Sequence, residues 1–204
     1  MKKLLIVLGL AISIVFAGNI VGGVELGKKV PKSFKKIGAI DSFFGDVSGE
    51  QGFEYKNKKS RFFNSIAVEA DVNGTARTII MLKKYNLSAG INLSKSIKKV
   101  EKDFQRILNK LENKYGNFDK RELSLMKGKA ASSLYILMSD IQEVAILKNT
   151  NSDNIGRILL IFTSKGKQEG SIPKKKEVSI GVAYLDKYTA KKMEEHKVGE
   201  LDEL

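Results

Sequence analysis

The chain has no cysteine and no tryptophan, and only one histidine and two prolines in 204 residues; each shortage excludes something. Without cysteine there is no disulfide framework, no thiolate metal site and no lipid-modified cysteine, so stability has to come from an ordinary apolar core. The single histidine, His196, sits in the charged C-terminal tail, which leaves a Ser-His-Asp triad or a histidine metal cluster without a rigid base. No catalytic residue, metal site or cofactor is expected on this inventory. Arginine is scarce too: Arg61, Arg77, Arg106, Arg121 and Arg157 are the only five among 36 cations. Arginine is the side chain of bidentate phosphate and base recognition, whereas lysine is a solvated point charge, so the skew argues against nucleic acid as a partner. The glycines from Gly18 to Gly27 lack phosphate-loop spacing and a following Gly-Lys-Ser, which removes nucleotide binding as well.

What the chain does have begins with its leader. Lys2 and Lys3 form a positive n-region, Leu4 to Phe16 is an unbroken apolar run, and Val15-Phe16-Ala17 places small or branched residues where a signal peptidase reads them. Residues 1–17 are predicted to be a signal peptide, and the rest to be exported to the periplasm, the cell surface or the medium. The alternative is an uncleaved membrane anchor reaching to about Val24, since no charge interrupts Leu4 to Val24 and about 20 residues span a bilayer. Gly18, Asn19, Gly22 and Gly23 dilute that stretch and favour cleavage. Without the leader 187 residues remain, and losing its two lysines lowers the net charge from +13 to +11. At 42% hydrophobic and 29% charged the body is globular in composition.

Along the chain, Val21 to Gly27 reads as a short entry strand or coil, followed by a basic turn of helix after Pro31 and a glycine-bearing loop from Ser42 to Gly52. Strands are predicted at Phe53 to Asn57, Ser65 to Ala70 and Thr75 to Leu82. The last two flank Asn73-Gly74, the pair that a type I′ hairpin turn prefers. A helix from about Ser94 to Tyr115 carries Ile97, Val100, Phe104, Ile107, Leu108, Leu111 and Tyr115 on one stripe, with Gly116 placed to cap it. A weaker helical pattern runs from Lys120 to about Gln142. Strands then follow at Val144 to Lys148, Arg157 to Thr163 and Val178 to Leu185. The expected fold is α+β: an antiparallel sheet built from two three-strand blocks, with two central helices packed on one face. A single domain is expected over residues 18–186, and residues 187–204 read as a charged tail, either a frayed helix or coil.

The opening Gly23-Val24-Glu25-Leu26-Gly27 and the helix-ending Lys114-Tyr115-Gly116, with a hairpin between them and a further apolar strand pair after them, resemble a class of small exported bacterial α+β domains. That class mostly has no assigned activity. The resemblance implies the fold and carries over no functional residue.

Carboxylate catalysis needs no histidine, and Asp41, Asp46, Glu50, Glu69 and Asp71 are the residues a carboxylate-dependent hydrolase would draw on. Loop and turn positions explain them without chemistry. The run Asn149, Asn151, Asp153, Gly156 imitates the start of a calcium loop but has one carboxylate, and Leu160 stands where a bidentate glutamate belongs. Sequons at Asn73, Asn86 and Asn92, and the ending Leu201-Asp202-Glu203-Leu204, would suit a eukaryotic secretory resident; the form of the leader favours a bacterial envelope.

The positive clue is lysine. On the long helix Lys95, Lys99, Lys102, Arg106 and Lys110 recur at three and four, a stripe diluted only by Glu101, Asp103 and Glu112, and a loop cluster adds Lys165, Lys167, Lys174, Lys175 and Lys176. Solubility is the ordinary reason for such a face. The functional expectation is a non-enzymatic exported protein that uses these faces to bind an anionic envelope component or membrane surface, such as acidic lipid, lipopolysaccharide or teichoic acid. A small inhibitor or protein-interaction module docking on an acidic protein is the alternative.

Overall fold

A computed structural model of the chain describes residues 20–38, 51–56, 62–88, 92–118, 141–147, 150, 152–165 and 175–202. Its strands are β1 (Ile20–Val21), β2 (Val24–Glu25), β3 (Lys35–Gly38), β4 (Gln51–Lys56), β5 (Ser65–Ala70), β6 (Ala76–Ser88), β7 (Ile141–Leu147), β8 (Ile155–Lys165) and β9 (Lys175–Asp186). Its helices are α1 (Leu93–Tyr115) and α2 (Lys187–Asp202). β1 and β2 form a small hairpin; the other seven strands make one sheet in the order β3-β4-β5-β6-β9-β8-β7, antiparallel throughout. The fold is α+β.

Alternation sorts the strand residues between two faces. Ile66 and Val68 of β5, Ile79 and Met81 of β6, Ile158, Leu160 and Phe162 of β8 and Val178 to Tyr184 at every second position of β9 share a core with the apolar stripe of α1. Phe104 of α1 meets Phe162 edge to face, their ring centroids 6.4 Å apart. On the opposite face Ile80, Leu159, Ile161, Ala183 and Leu185 pack with Ala190 and Met193 of α2. The centre of the sheet is thus covered on both sides. A strand buried on both faces needs apolar residues at successive positions, which is why β8 reads Ile158-Leu159-Leu160-Ile161-Phe162 without a polar break.

Two expectations change, and the tail takes the helical one of its two readings. The segment after Pro31 makes a single turn, closed by Phe34 N–H to the Pro31 carbonyl, and then enters β3 rather than a helix. The cause is Phe34, buried against the ring of Tyr55 on β4, while Lys35 and Lys36 pair with Glu54 and Phe53. The tail is ordered as α2 because Asp186 caps it, its Oδ1 accepting Thr189 N–H at 2.7 Å, and because Arg157, buried on β8, donates to Glu194 on the helix. The β5–β6 hairpin is present but its loop is Val72-Asn73-Gly74, closed by Gly74 N–H to the Asp71 carbonyl; no non-glycine residue described has positive φ, so only Gly74 is left-handed. Asp71 Oδ1 also accepts the N–H groups of Asn73 and Thr75, which stabilises this wider loop over a type I′ turn. A two-residue turn with positive φ at both positions does occur, at Gly22-Gly23 between β1 and β2. The helical pattern from Lys120 to Gln142 lies outside the described residues except at its end, where Ile141 and Gln142 belong to β7.

Gly156 is explained by packing. A Cβ there would stand 2.7 Å from Lys187 Cα and 2.9 Å from the Asp186 carbonyl oxygen, both backbone atoms. Gly156→Ala is expected to push α2 off β8 and lower stability by about 1–3 kcal/mol, the usual cost of overpacking. A denaturant midpoint unchanged from the parent would contradict this.

Candidate functional site

The long helix is the element on which the candidate residues converge. Its apolar stripe turns inward over β6, with Ile97, Val100, Phe104, Ile107, Leu108 and Leu111 all buried, and Gly116 ends it by donating to the Glu112 carbonyl. At 100° per residue the opposite arc, roughly 120° wide, carries Lys95, Lys98, Lys99, Lys102, Arg106 and Lys110. All six are exposed, and none has an ion-pair partner among the described residues. From Lys95 to Lys110 the row runs about 22 Å at 1.5 Å per residue. No acidic residue lies in the first turn, so the positive end of the helix dipole adds to the field there.

Two of the three acidic residues of α1, Asp103 and Glu112, have partners away from this arc. Asp103 reaches inward: its Oδ2 accepts from Lys83 Nζ at 2.7 Å and from the Tyr85 hydroxyl at 2.8 Å, both on β6. The Lys83 ammonium also stands 4.1 Å from the centre of the Phe62 ring. Burial pulls the Asp103 carboxyl upward, but its hydrogen bonds to Lys83 and Tyr85 and the nearby charges outweigh this and hold it below the ordinary carboxylate range. Burial, then the bond to Asp103, raises Tyr85 and keeps it protonated. Glu112 accepts the Phe118 N–H at 3.3 Å, closing the loop after the helix. These two acids thus anchor α1 to β6 and to the loop after the helix.

The remaining candidates separate. Lys165 ends β8 and Lys175 begins β9; Ser88 of β6 pairs with Lys175, so these strand ends and the start of α1 lie at one end of the sheet. Lys176 is 3% exposed and cannot belong to an exposed basic face, because it points to the core side of β9 with Val178. Lys167 and Lys174 lie outside the described residues. Lys98 was not part of the predicted stripe; it stands three residues after Lys95 and four before Lys102, so the signal was there to read.

The carboxylates proposed for catalysis do not gather into a described site. Asp71 is occupied by its turn and by Arg77, whose Nη2 is 2.9 Å from Asp71 Oδ2 and whose Nη1 is 3.0 Å from Asp186 Oδ2. The guanidinium lies over Tyr188, tying the hairpin to the start of α2. Glu69 is buried; Asp41, Asp46 and Glu50 lie outside the described residues. Among the described residues no three His, Cys, Asp or Glu side chains are placed to share a metal ion. Of the calcium-like run, Asn149 and Asn151 lie outside the described residues.

The Thr75 amide, then the Arg77 guanidinium acting against burial, holds Asp71 low, as Lys83 and Tyr85 hold Asp103. A carboxyl depressed in the folded state stabilises the fold above its unfolded pKa and loses that contribution as pH falls through the folded value. Stability is therefore expected to be flat from neutral pH to about 5 and to fall below about 4. Asp103→Asn should flatten part of that acid limb in a series of denaturant midpoints; an identical limb would show that Asp103 carries none of it.

No protein-family model matches the chain, and neither a curated protein nor a solved structure matches it.

Proposed function

We propose that this is an exported, non-enzymatic protein that docks electrostatically on an anionic surface of the cell envelope through the outer arc of α1. The observation that carries the reading is the exposed row of six cations, with Asp103 drawn inward to β6 and Glu112 to the loop after the helix. Near an anionic surface each contributes on the order of 1 kcal/mol, screened beyond about 8 Å at physiological salt. Exposed large apolar side chains are absent from that arc, so attraction by charge, rather than insertion, is the mode.

Export rests on the leader, and the fold bears on what becomes of it. Val21 and Val24 are fully buried and Leu26 is 1% exposed, all in the main core. Residues committed to that core are not free to cross a bilayer, which supports the cleaved reading over an anchor reaching Val24. Leu4 to Asn19 is 16 residues, about 24 Å as a helix against a hydrocarbon core of about 30 Å. Release by cleavage after Ala17 is therefore part of the proposal. Among the described residues no helix is long and apolar enough to cross a membrane. The build from two three-strand blocks is also part of this proposal, supported by the meeting of β6 and β9, the last strand of each, at the centre of the sheet.

The test is co-sedimentation with vesicles. Retention on vesicles rich in phosphatidylglycerol, loss of that retention in high salt and none on neutral phosphatidylcholine are the expected results. Equal binding to both compositions, or no binding at low salt, would remove the proposal. Salt-resistant capture of one acidic protein would put the interaction-module reading in its place.

A further inference from the structure

The two edges of the sheet are built differently. β3 is four residues long, carries Lys35 and Lys36 and has a register shift between Lys36 and Gly38. Shortness, lysine and irregularity are the devices that stop an edge strand from recruiting another chain. β7, at the other end, has none of them. It runs seven residues, IQEVAIL, and pairs with β8 in unbroken register from Ile141 opposite Ser164 to Leu147 opposite Ile158. It contains no lysine, arginine, proline or glycine, in a chain of net charge +13. Among the described residues no strand lies along its outer side.

We propose that β7 is a dimerisation edge, on which β7 of a second copy pairs antiparallel about a two-fold axis at Val144. Charge and pattern select this occupant. In that register Ile141 meets Leu147, Gln142 meets Ile146, Glu143 meets Ala145 and Val144 meets its own copy, so the one charge never faces its like. In-register parallel pairing would set Glu143 against Glu143, which is unfavourable. The antiparallel arrangement is isologous and closed, so it stops at two copies. Its axis is perpendicular to the sheet and puts both α1 helices on one side of a continuous sheet. With three strand spacings from β6 to β7 in each copy and one between copies, the helices stand roughly 34 Å apart. The pairing does not rest on what α1 binds, and it fails separately.

Sedimentation equilibrium of the purified protein should show a monomer–dimer equilibrium, and Val144→Lys should give monomer with an unchanged circular dichroism spectrum. Residues directly opposite in an antiparallel pair lie about 4.5–5.5 Å apart, within disulfide range. In this cysteine-free chain Val144→Cys should therefore oxidise to a covalent dimer, whereas Ile37→Cys on exposed β3 should not. The second variant decides the matter if Val144→Lys does not fold. A wild-type protein that stays monomeric at high micromolar concentration, a dimer indifferent to Val144→Lys, or equal cross-linking at both positions would overturn the proposal.

Discussion

Changing Lys95, Lys99, Lys102 and Arg106 together to glutamine is expected to weaken binding to anionic vesicles by about three orders of magnitude. At about 1 kcal/mol for each cation near an acidic surface, four losses sum to about 4 kcal/mol, and 1.4 kcal/mol is tenfold in affinity. The unfolding midpoint should hardly move, because the four side chains are exposed and without ion-pair partners among the described residues. The proper control removes the same charge elsewhere: Lys28, Lys29, Lys32 and Lys36, also exposed, changed to glutamine. If binding depended on net charge alone, the two quadruple variants would lose equally, and α1 would have no special part in it. A much larger loss in the α1 variant assigns the contact to that face. Vesicle co-sedimentation across a salt series measures both.

The second large effect is on stability. Phe104 is 2% exposed at the centre of the α1 stripe and sits edge to face on Phe162 of β8, which is itself fully buried. Phe104→Ala removes the buried ring and leaves a cavity between helix and sheet, a change that costs about 3–5 kcal/mol. In a chain of this size that corresponds to a drop of roughly 6–20 °C in the thermal midpoint. The arc of cations is presented only while α1 is docked, so vesicle binding measured above the lowered midpoint should lose its dependence on Lys95 and Arg106 as positions. Calorimetry of the variant decides the first part: a shift under a few degrees would mean that the helix is held chiefly by the Asp103–Lys83–Tyr85 cluster.

Much of this was legible. The α1 stripe from Ile97 to Tyr115 and its cap at Gly116 appear where periodicity placed them, with the helix starting one residue earlier, because helical spacing is a local property of the chain. β5 was predicted to the residue, and β8 and β9 to within three at each end. β6 runs six residues beyond its predicted end, through Lys83, Lys84, Tyr85 and Asn86. Polar side chains hid that extension: Lys83 and Tyr85 are retained in the strand by Asp103, a partner about 20 residues away, and Lys84 pairs at 3.3 Å with Glu177 on β9. α2 was obscure for the same reason. Its own pattern is weak, and its helicity rests on Asp186 as cap and on Ala190 and Met193 finding the far face of the sheet.

The sequence by itself determined the absence of thiol chemistry, the α+β class and the cationic row along one helix, and it alone carries the expectation of export, since each is set by composition or by spacing within a few residues. Only the tertiary structure decided that Asp103 and Glu112 find partners away from that row, that Lys176 is withdrawn from the surface, that both faces of the sheet are covered and that, among the described residues, one sheet edge is guarded and the other open. These depend on which distant segments meet, as Arg77 meets Asp186 across 109 positions of chain, and no local periodicity encodes a meeting of that kind.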